Sequence, residues 1–151
     1  MLKASMFAVL PLFVSGAALA TDLSAMEPER VVEVRQEAFK ALKSSAGELR
    51  LYVLGKKDWQ QQEVDSLTGQ MQRASEEAFA AFLPGTLVYP TEATAAVEQE
   101  PERFKQAQAN FQKQLSHLQQ VVSSGDQQAA EQALGQLNRS CKSCHNGFKQ
   151  P

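Results

Sequence analysis

The sequence predicts an all-α protein whose four helices form an antiparallel bundle. Three observations support this fold class. Four segments carry apolar residues at alternating intervals of three and four, the spacing that places side chains on one face of a helix. Residues that end helices, mainly Gly and Pro, separate these segments. Two of the connections are short and one is longer, which suits helices that pack side by side in alternating directions.

The first two helices are delimited by residues that start and stop helices. The first runs from about Pro28, since proline suits the first helical position, to Leu54, after which Gly55 ends it. The second begins after Asp58, a good N-cap, and stops at Leu83-Pro84-Gly85. Their apolar stripes are Val32, Phe39, Leu42, Ala46 and Leu49 in the first helix, and Val64, Leu67, Met71, Ala74, Ala78 and Phe82 in the second.

A loop of about fifteen residues leads to the other two helices. The third starts near Pro101, and the turn Ser123-Ser124-Gly125 separates it from the fourth, which Asp126 caps. The stripes are Phe104, Ala107, Phe111, Leu115, Leu118 and Val122, followed by Ala130, Leu134, Leu137, Cys141, Cys144 and Phe148. Because two cysteines fall on the last stripe, a group bonded to them must lie within the bundle.

Residues 1–20 have the pattern of a secretory signal peptide. One early positive charge, Lys3, precedes an apolar stretch, and small residues lead to the A-x-A-like cleavage site at Ala20. The apolar stretch is too short for a spanning helix; an uncleaved N-terminal anchor is the alternative. We expect a mature domain of residues 21–151 that lies in the periplasm without membrane insertion.

The mature domain is mildly acidic. Without Lys3 it has 14 Lys and Arg against 17 Asp and Glu, which gives a net charge of −3. This balance, with no basic block, argues against nucleic acid and anionic membranes as partners. It is compatible with a cationic redox partner protein but does not require one.

The most specific signal is Cys141-Lys142-Ser143-Cys144-His145, the Cys-x-x-Cys-His attachment signature of a c-type haem. Each thiol can bond one of the two haem vinyl groups, and on a helix the cysteines and His145 lie near one face. We predict one covalent haem c per chain with His145 as iron ligand. The alternatives are a redox dithiol, which expects a βαβ setting, and a zinc site, which needs four ligands.

Arg35 occupies a position that the pattern assigns to the core face of the first helix. A buried arginine needs a partner, and the carboxylates of the haem propionates would suit its planar guanidinium. The alternative is an arginine that reaches water along its apolar stem.

The group opposite His145 decides what the iron does, because a second protein ligand favours electron transfer and an open position binds small gases. The candidate ligands in the mature chain are Met26, Met71 and His117. Met26 precedes the first helix and Met71 suits the core. His117 lies one step off the third stripe, where a surface histidine is the leading interpretation.

Phe39 follows Arg35 by one helical turn on the same face. Its ring can cover the second side of the iron, pack in the bundle core, or do both. A haem enzyme would profit from an acid or base at this place. Ala38 and Leu42 are apolar and Glu37 should point outward, so we expect that the protein is not an enzyme.

These features together resemble the cytochrome c prime family of class II c-type cytochromes. The resemblance covers nearly all of the mature chain. It depends on Val-Arg-Gln at 34–36, Ala-Phe-Leu-Pro-Gly-Thr at 81–86, Phe104-Lys105 with Phe111-Gln112, and the haem motif at 141–145. Only the haem motif is specific by itself.

The resemblance implies a pentacoordinate iron with His145 as its sole protein ligand and a distal gas pocket lined by Phe39. It implies binding of nitric oxide and carbon monoxide, with an electron-transfer cytochrome as the alternative function, and a homodimer built from the first two helices. It also assigns Gln36 and Lys149 to the haem site. Many family members have arginine at the position of Lys149, and lysine lacks the planar fork.

Overall fold

The computed structural model describes residues 22–151, and the predicted signal peptide lies outside this range. After a 3₁₀ turn, the helices in this range are α1 (Pro28–Val53), α2 (Gln61–Ala80), α3 (Ala96–Gln99), α4 (Pro101–Ser123) and α5 (Gln127–Phe148). The four long helices form the predicted bundle, in which α1 packs on α2, α4 on α5, and α2 on α4. No helix within residues 22–151 is both long and apolar enough to cross a bilayer.

The predicted helix starts are correct except for α2. Proline occupies the first position of α1 and α4, and the Asp126 side chain caps α5 by accepting the Ala129 N–H at 2.9 Å. The prediction that Asp58 caps the second helix is wrong, because α2 begins at Gln61 and its N-cap is Gln60. The residues before α2 are not helical, and this path packs Trp59 against the core.

The longer connection contains one further element that the sequence pattern did not predict. Residues 81–95, called here the 81–95 loop, lead into the single-turn helix α3. Val97 is the buried residue of α3. A four-residue helix with one apolar side chain has no periodicity from which it could be predicted.

The end of the bundle opposite the haem motif is closed by backbone and side-chain hydrogen bonds. At the end of α1, Gly55 adopts a positive φ of 65°, the Lys56 N–H donates to Leu51 O, and the Gly55 N–H donates to Tyr52 O. These two bonds form a Schellman motif, which favours glycine because of the left-handed backbone. The Gln127 amide at the start of α5 also donates to Tyr52 O at 2.9 Å. The end of α1 and the start of α5 are therefore joined by a hydrogen bond.

Buried side chains form two clusters. The larger one runs along all four long helices and includes Leu49, Met71, Leu115 and Leu137. The smaller one contains Val97, Phe104 and Phe148, and it lies where the 81–95 loop and α3 meet the end of α5. The two clusters meet at the aromatic residues described below.

Candidate functional site

The haem motif lies in the last two turns of α5, as predicted. Cys141 packs against the larger cluster and Cys144 against the smaller one, and both thiols are free and partly buried. His145 follows on the exposed side of this face. The helix continues to Phe148, so the three side chains have the helical spacing that the motif requires.

The surroundings of the motif favour neutral forms of its side chains. Burial raises the pKa of the Cys141 thiol and of the Cys144 thiol. Partial loss of hydration lowers the pKa of His145, although the residue stays exposed, and the Lys149 charge lowers it further. Neutral imidazole is the form that binds a metal ion.

Six phenylalanines form a continuous group next to the two thiols. Neighbouring rings meet edge to face, with centroid distances from 4.8 Å for Phe82 and Phe104 to 6.3 Å for Phe39 and Phe82. This aromatic group consists of Phe39, Phe79, Phe82, Phe104, Phe111 and Phe148. It joins α1, the end of α2, α4 and α5, and so supplies an apolar surface from every long helix.

A cleft of about 580 Å³ opens at this aromatic group. Phe79, Phe82 and Phe104 line it, and Lys105 and Gln108 of α4 are among its polar residues. The volume falls in the range of about 300–1,000 Å³ that is usual for ligand and cofactor sites.

Arg35 lies at the inner edge of this region and is only 3% exposed. Its guanidinium donates to Ala81 O at 3.1 Å and to Thr86 O at 3.1 Å. It also donates to the hydroxyl oxygens of Thr86 and Thr91, at 3.3 and 2.9 Å, and its carbon lies 4.3 Å from the centroid of the Phe82 ring. The alternative that Arg35 reaches water is therefore wrong.

The charge of Arg35 has no anion beside it. The ion pairs among residues 22–151 join other side chains, so no carboxylate lies within 4 Å of this guanidinium. Burial lowers the pKa of Arg35, yet arginine keeps its proton in proteins. A buried cation with only neutral partners is costly, and in the same loop the buried hydroxyl oxygen of Thr94 also lacks a partner. Two thiols on an apolar face, with an unpaired buried cation and a free hydroxyl nearby, fit a haem with carboxylate groups.

Gln36 and Lys149 hold the 81–95 loop from opposite sides. The Gln36 amide donates to Pro90 O at 2.8 Å. Lys149 lies at the end of α5, where its ammonium pairs with the Glu92 carboxylate at 3.1 Å. Both residues are predicted at the haem site, and in the structure both contact the loop whose first residues line the cleft.

None of the three candidate second ligands is among the residues that line this cleft. Met71 is completely buried in the larger cluster, as a core residue would be, and His117 is exposed on α4. Met26 follows the 3₁₀ turn before α1. Within residues 22–151, no group of three or more His, Cys, Asp or Glu side chains is arranged to hold a metal ion.

Three residues that contact the predicted site were not predicted as part of it. Thr86 and Thr91 accept hydrogen bonds from Arg35, and Glu92 pairs with Lys149. Thr86 belongs to the segment at 81–86, which is one basis of the family resemblance. This segment was the only sequence signal that pointed to a role for Thr86. Thr91 and Glu92 lie in an irregular stretch with no pattern of its own.

A four-helix bundle with Cys-x-x-Cys-His near the end of its last helix defines a c-type cytochrome of the bundle class. The family model for cytochrome c′ matches residues 30–149. Cytochrome c′ of Alcaligenes xylosoxydans xylosoxydans is 28% identical over 123 residues, which cover 82% of this chain and 95% of that protein. The chain belongs to the cytochrome c′ family and is a c-type haem protein.

Solved structures of the family have the same fold. Cytochrome c′ from Rubrivivax gelatinosus, 28% identical, superposes with a TM-score of 0.78 over 83% of this chain and 98% of its own. A nitric oxide complex of a single-site variant of cytochrome c prime from Alcaligenes xylosoxidans gives the same TM-score at 27% identity, over 83% of this chain and 97% of that chain. These likenesses confirm the predicted four-helix bundle and the predicted family.

Proposed function

We propose that this chain is a periplasmic haem protein with one covalent haem c, whose iron is pentacoordinate and binds nitric oxide and, more weakly, carbon monoxide. The observation that carries the proposal is the location of the other ligand candidates. Met71 is enclosed in the core and His117 faces solvent on α4. The surface beside the thiols is instead formed by phenylalanine rings, which cannot coordinate iron.

Each predicted site residue has one role in this proposal. Cys141 and Cys144 would bond the haem vinyl groups, and His145 would bind the iron. Arg35 would pair with a propionate carboxylate, and some of its hydrogen bonds to the 81–95 loop would break to allow this pairing. Gln36 and Lys149 keep that loop in place. The haem iron, when bound, supplies the coordination chemistry for the gas.

Phe39 would limit the access of a gas to the iron in this proposal. Its ring is partly buried and meets Phe79 and Phe82 edge to face, at centroid distances of 6.1 and 6.3 Å. An apolar pocket offers a small gas no hydrogen bond. The bulk of the Phe39 ring opposes the binding of a further ligand to the iron. Glu37 is exposed and Ala38 and Leu42 are buried, which supports a binding protein rather than an enzyme.

The family resemblance supports one further part of the proposal, and the predicted signal peptide supports another. We expect a homodimer in which α1 and α2 form the interface, and sedimentation velocity of the purified protein measures its mass. Location in the periplasm follows from the signal peptide predicted at residues 1–20, and cell fractionation tests it.

The optical spectrum of the purified ferrous protein, before and after nitric oxide is added, tests the iron site. We expect a high-spin, five-coordinate spectrum that changes with the gas, and the same behaviour in the Met71→Leu and His117→Gln variants. A low-spin spectrum that ignores the gas would contradict the proposal and favour an electron-transfer cytochrome. A change of spin state in one variant would identify the second ligand.

A further inference from the structure

The 81–95 loop is joined to the chain directly after the haem motif by a short antiparallel bridge. The Gln150 N–H donates to Glu92 O at 2.8 Å, and the Thr94 N–H donates to Phe148 O at 3.0 Å. Ala93 lies opposite Lys149 between these two bonds. Because backbone bonds flank the pair, the register of the loop against the end of α5 is fixed.

This register brings the Glu92 carboxylate to the Lys149 ammonium, with 3.1 Å between Oε2 and Nζ. Lys149 is the C-cap of α5, and its N–H donates to His145 O at 3.0 Å. Residues four apart on a helix are neighbours on its surface. The ion pair therefore lies one turn beyond the predicted iron ligand, on its side of α5.

The ion pair places one positive and one negative charge at the end of α5 that carries His145. Their effects on an iron bound there would have opposite signs, because a positive charge favours the ferrous state and a negative charge favours the ferric state. Groups around a ligating histidine tune the electronic properties of the metal.

We propose that Glu92 is a positioning residue of the haem site, which offsets the charge of Lys149 beside His145 and so lowers the reduction potential of the iron. A negative charge near the haem favours the ferric state, which carries one more positive charge than the ferrous state. The backbone bridge is needed because it places a loop carboxylate, distant in sequence, against the end of α5. This inference rests on the proposed haem attachment but not on an open iron position.

Redox titration of the purified haem protein at low ionic strength tests the proposal. At a fixed electrode potential, we expect the ferric-to-ferrous ratio to fall about threefold in Glu92→Gln and to rise about threefold in Lys149→Gln. A threefold change corresponds to about 28 mV, because a tenfold change is 59 mV for one electron. The double variant should return close to wild type, and added salt should weaken both shifts.

Glu131→Gln is the matched control, since Glu131 is an exposed residue of α5 about 21 Å along the helix from His145. Lys149→Arg keeps the charge and should keep the wild-type ratio. A loosened loop alone would lower the unfolding midpoint in both single variants without opposite redox shifts. The proposal is overturned if Glu92→Gln behaves like Glu131→Gln, or if both single variants shift in the same direction.

The same samples separate this inference from the proposed function. A protein that holds haem but ignores nitric oxide contradicts gas binding and leaves the redox prediction standing. A protein that binds the gas but shows no opposite shifts contradicts only the role of Glu92. Failure to attach haem overturns both.

Discussion

Arg35 is a buried cation whose hydrogen-bond partners are all neutral oxygens of one loop. Ala81 O, Thr86 O and two threonine hydroxyls accept its N–H groups. The residue thus links α1 to the 81–95 loop, and its positive charge has no carboxylate partner among residues 22–151.

Replacing Arg35 with leucine should destabilise the haem protein. The carbonyl oxygens of Ala81 and Thr86 would lose their buried donors, and leaving a buried polar group unpaired costs about 1–3 kcal/mol. Arg30→Leu is the control, because that arginine is exposed and forms a surface pair with Glu33, worth about 0–1 kcal/mol. Urea unfolding measures both. Equal losses in the two variants would contradict the role assigned to Arg35.

Replacing Phe39 with alanine should strengthen carbon monoxide binding. The ring adds a steric cost to a sixth ligand, and removing it should raise the affinity about tenfold, or ~1.4 kcal/mol. Leu115→Ala, at a fully buried position of α4, is the control for a loosened core and should leave the affinity unchanged. Equilibrium titration of the ferrous proteins gives the values, and the same affinity in wild type and Phe39→Ala would refute the prediction.

Among the elements, α1, α4 and α5 begin where the sequence predicts, because proline or a capping aspartate acts through local geometry. The start of α2 differs because Trp59 packs against the core, a tertiary contact that outweighs the capping preference of Asp58. Helix boundaries are thus predictable where local chemistry decides and unpredictable where packing does.

Two aspartate variants test this distinction. Asp126→Ala removes the hydrogen bond to the Ala129 N–H and should lower the free energy of unfolding by about 1 kcal/mol. Asp58→Ala removes no cap, since α2 has none from a side chain, and should change the free energy of unfolding by less than about 0.5 kcal/mol. Urea unfolding compares them. A larger loss in Asp58→Ala than in Asp126→Ala would show that the assigned helix starts are wrong.

In the candidate site, the sequence predicted the residues that belong to helices and missed those that belong to the loop. Cys141, Cys144 and His145 form a motif whose spacing is specific for covalent haem attachment. Thr91 and Glu92 meet α1 and α5 across more than fifty residues of sequence. No local pattern marks such contacts, because they depend on where the whole fold places an irregular segment.

At the scale of the whole molecule, the two ends of the bundle are built differently. One end is fixed by the turn at Gly55 and by the amide of Gln127, which binds the end of α1. The other end gathers the two thiols, the aromatic group, Arg35 and the 81–95 loop. The two ends therefore depend on different residues.

The location of the haem motif in the final helix also sets a sequence of events during biosynthesis. In the proposed export through a signal peptide at residues 1–20, the N-terminal side of the chain arrives first, so α1, α2 and α4 precede Cys141. Attachment requires accessible thiols, whereas in the folded protein both are partly buried. Haem attachment would then have to come before α5 docks against α1 and α4.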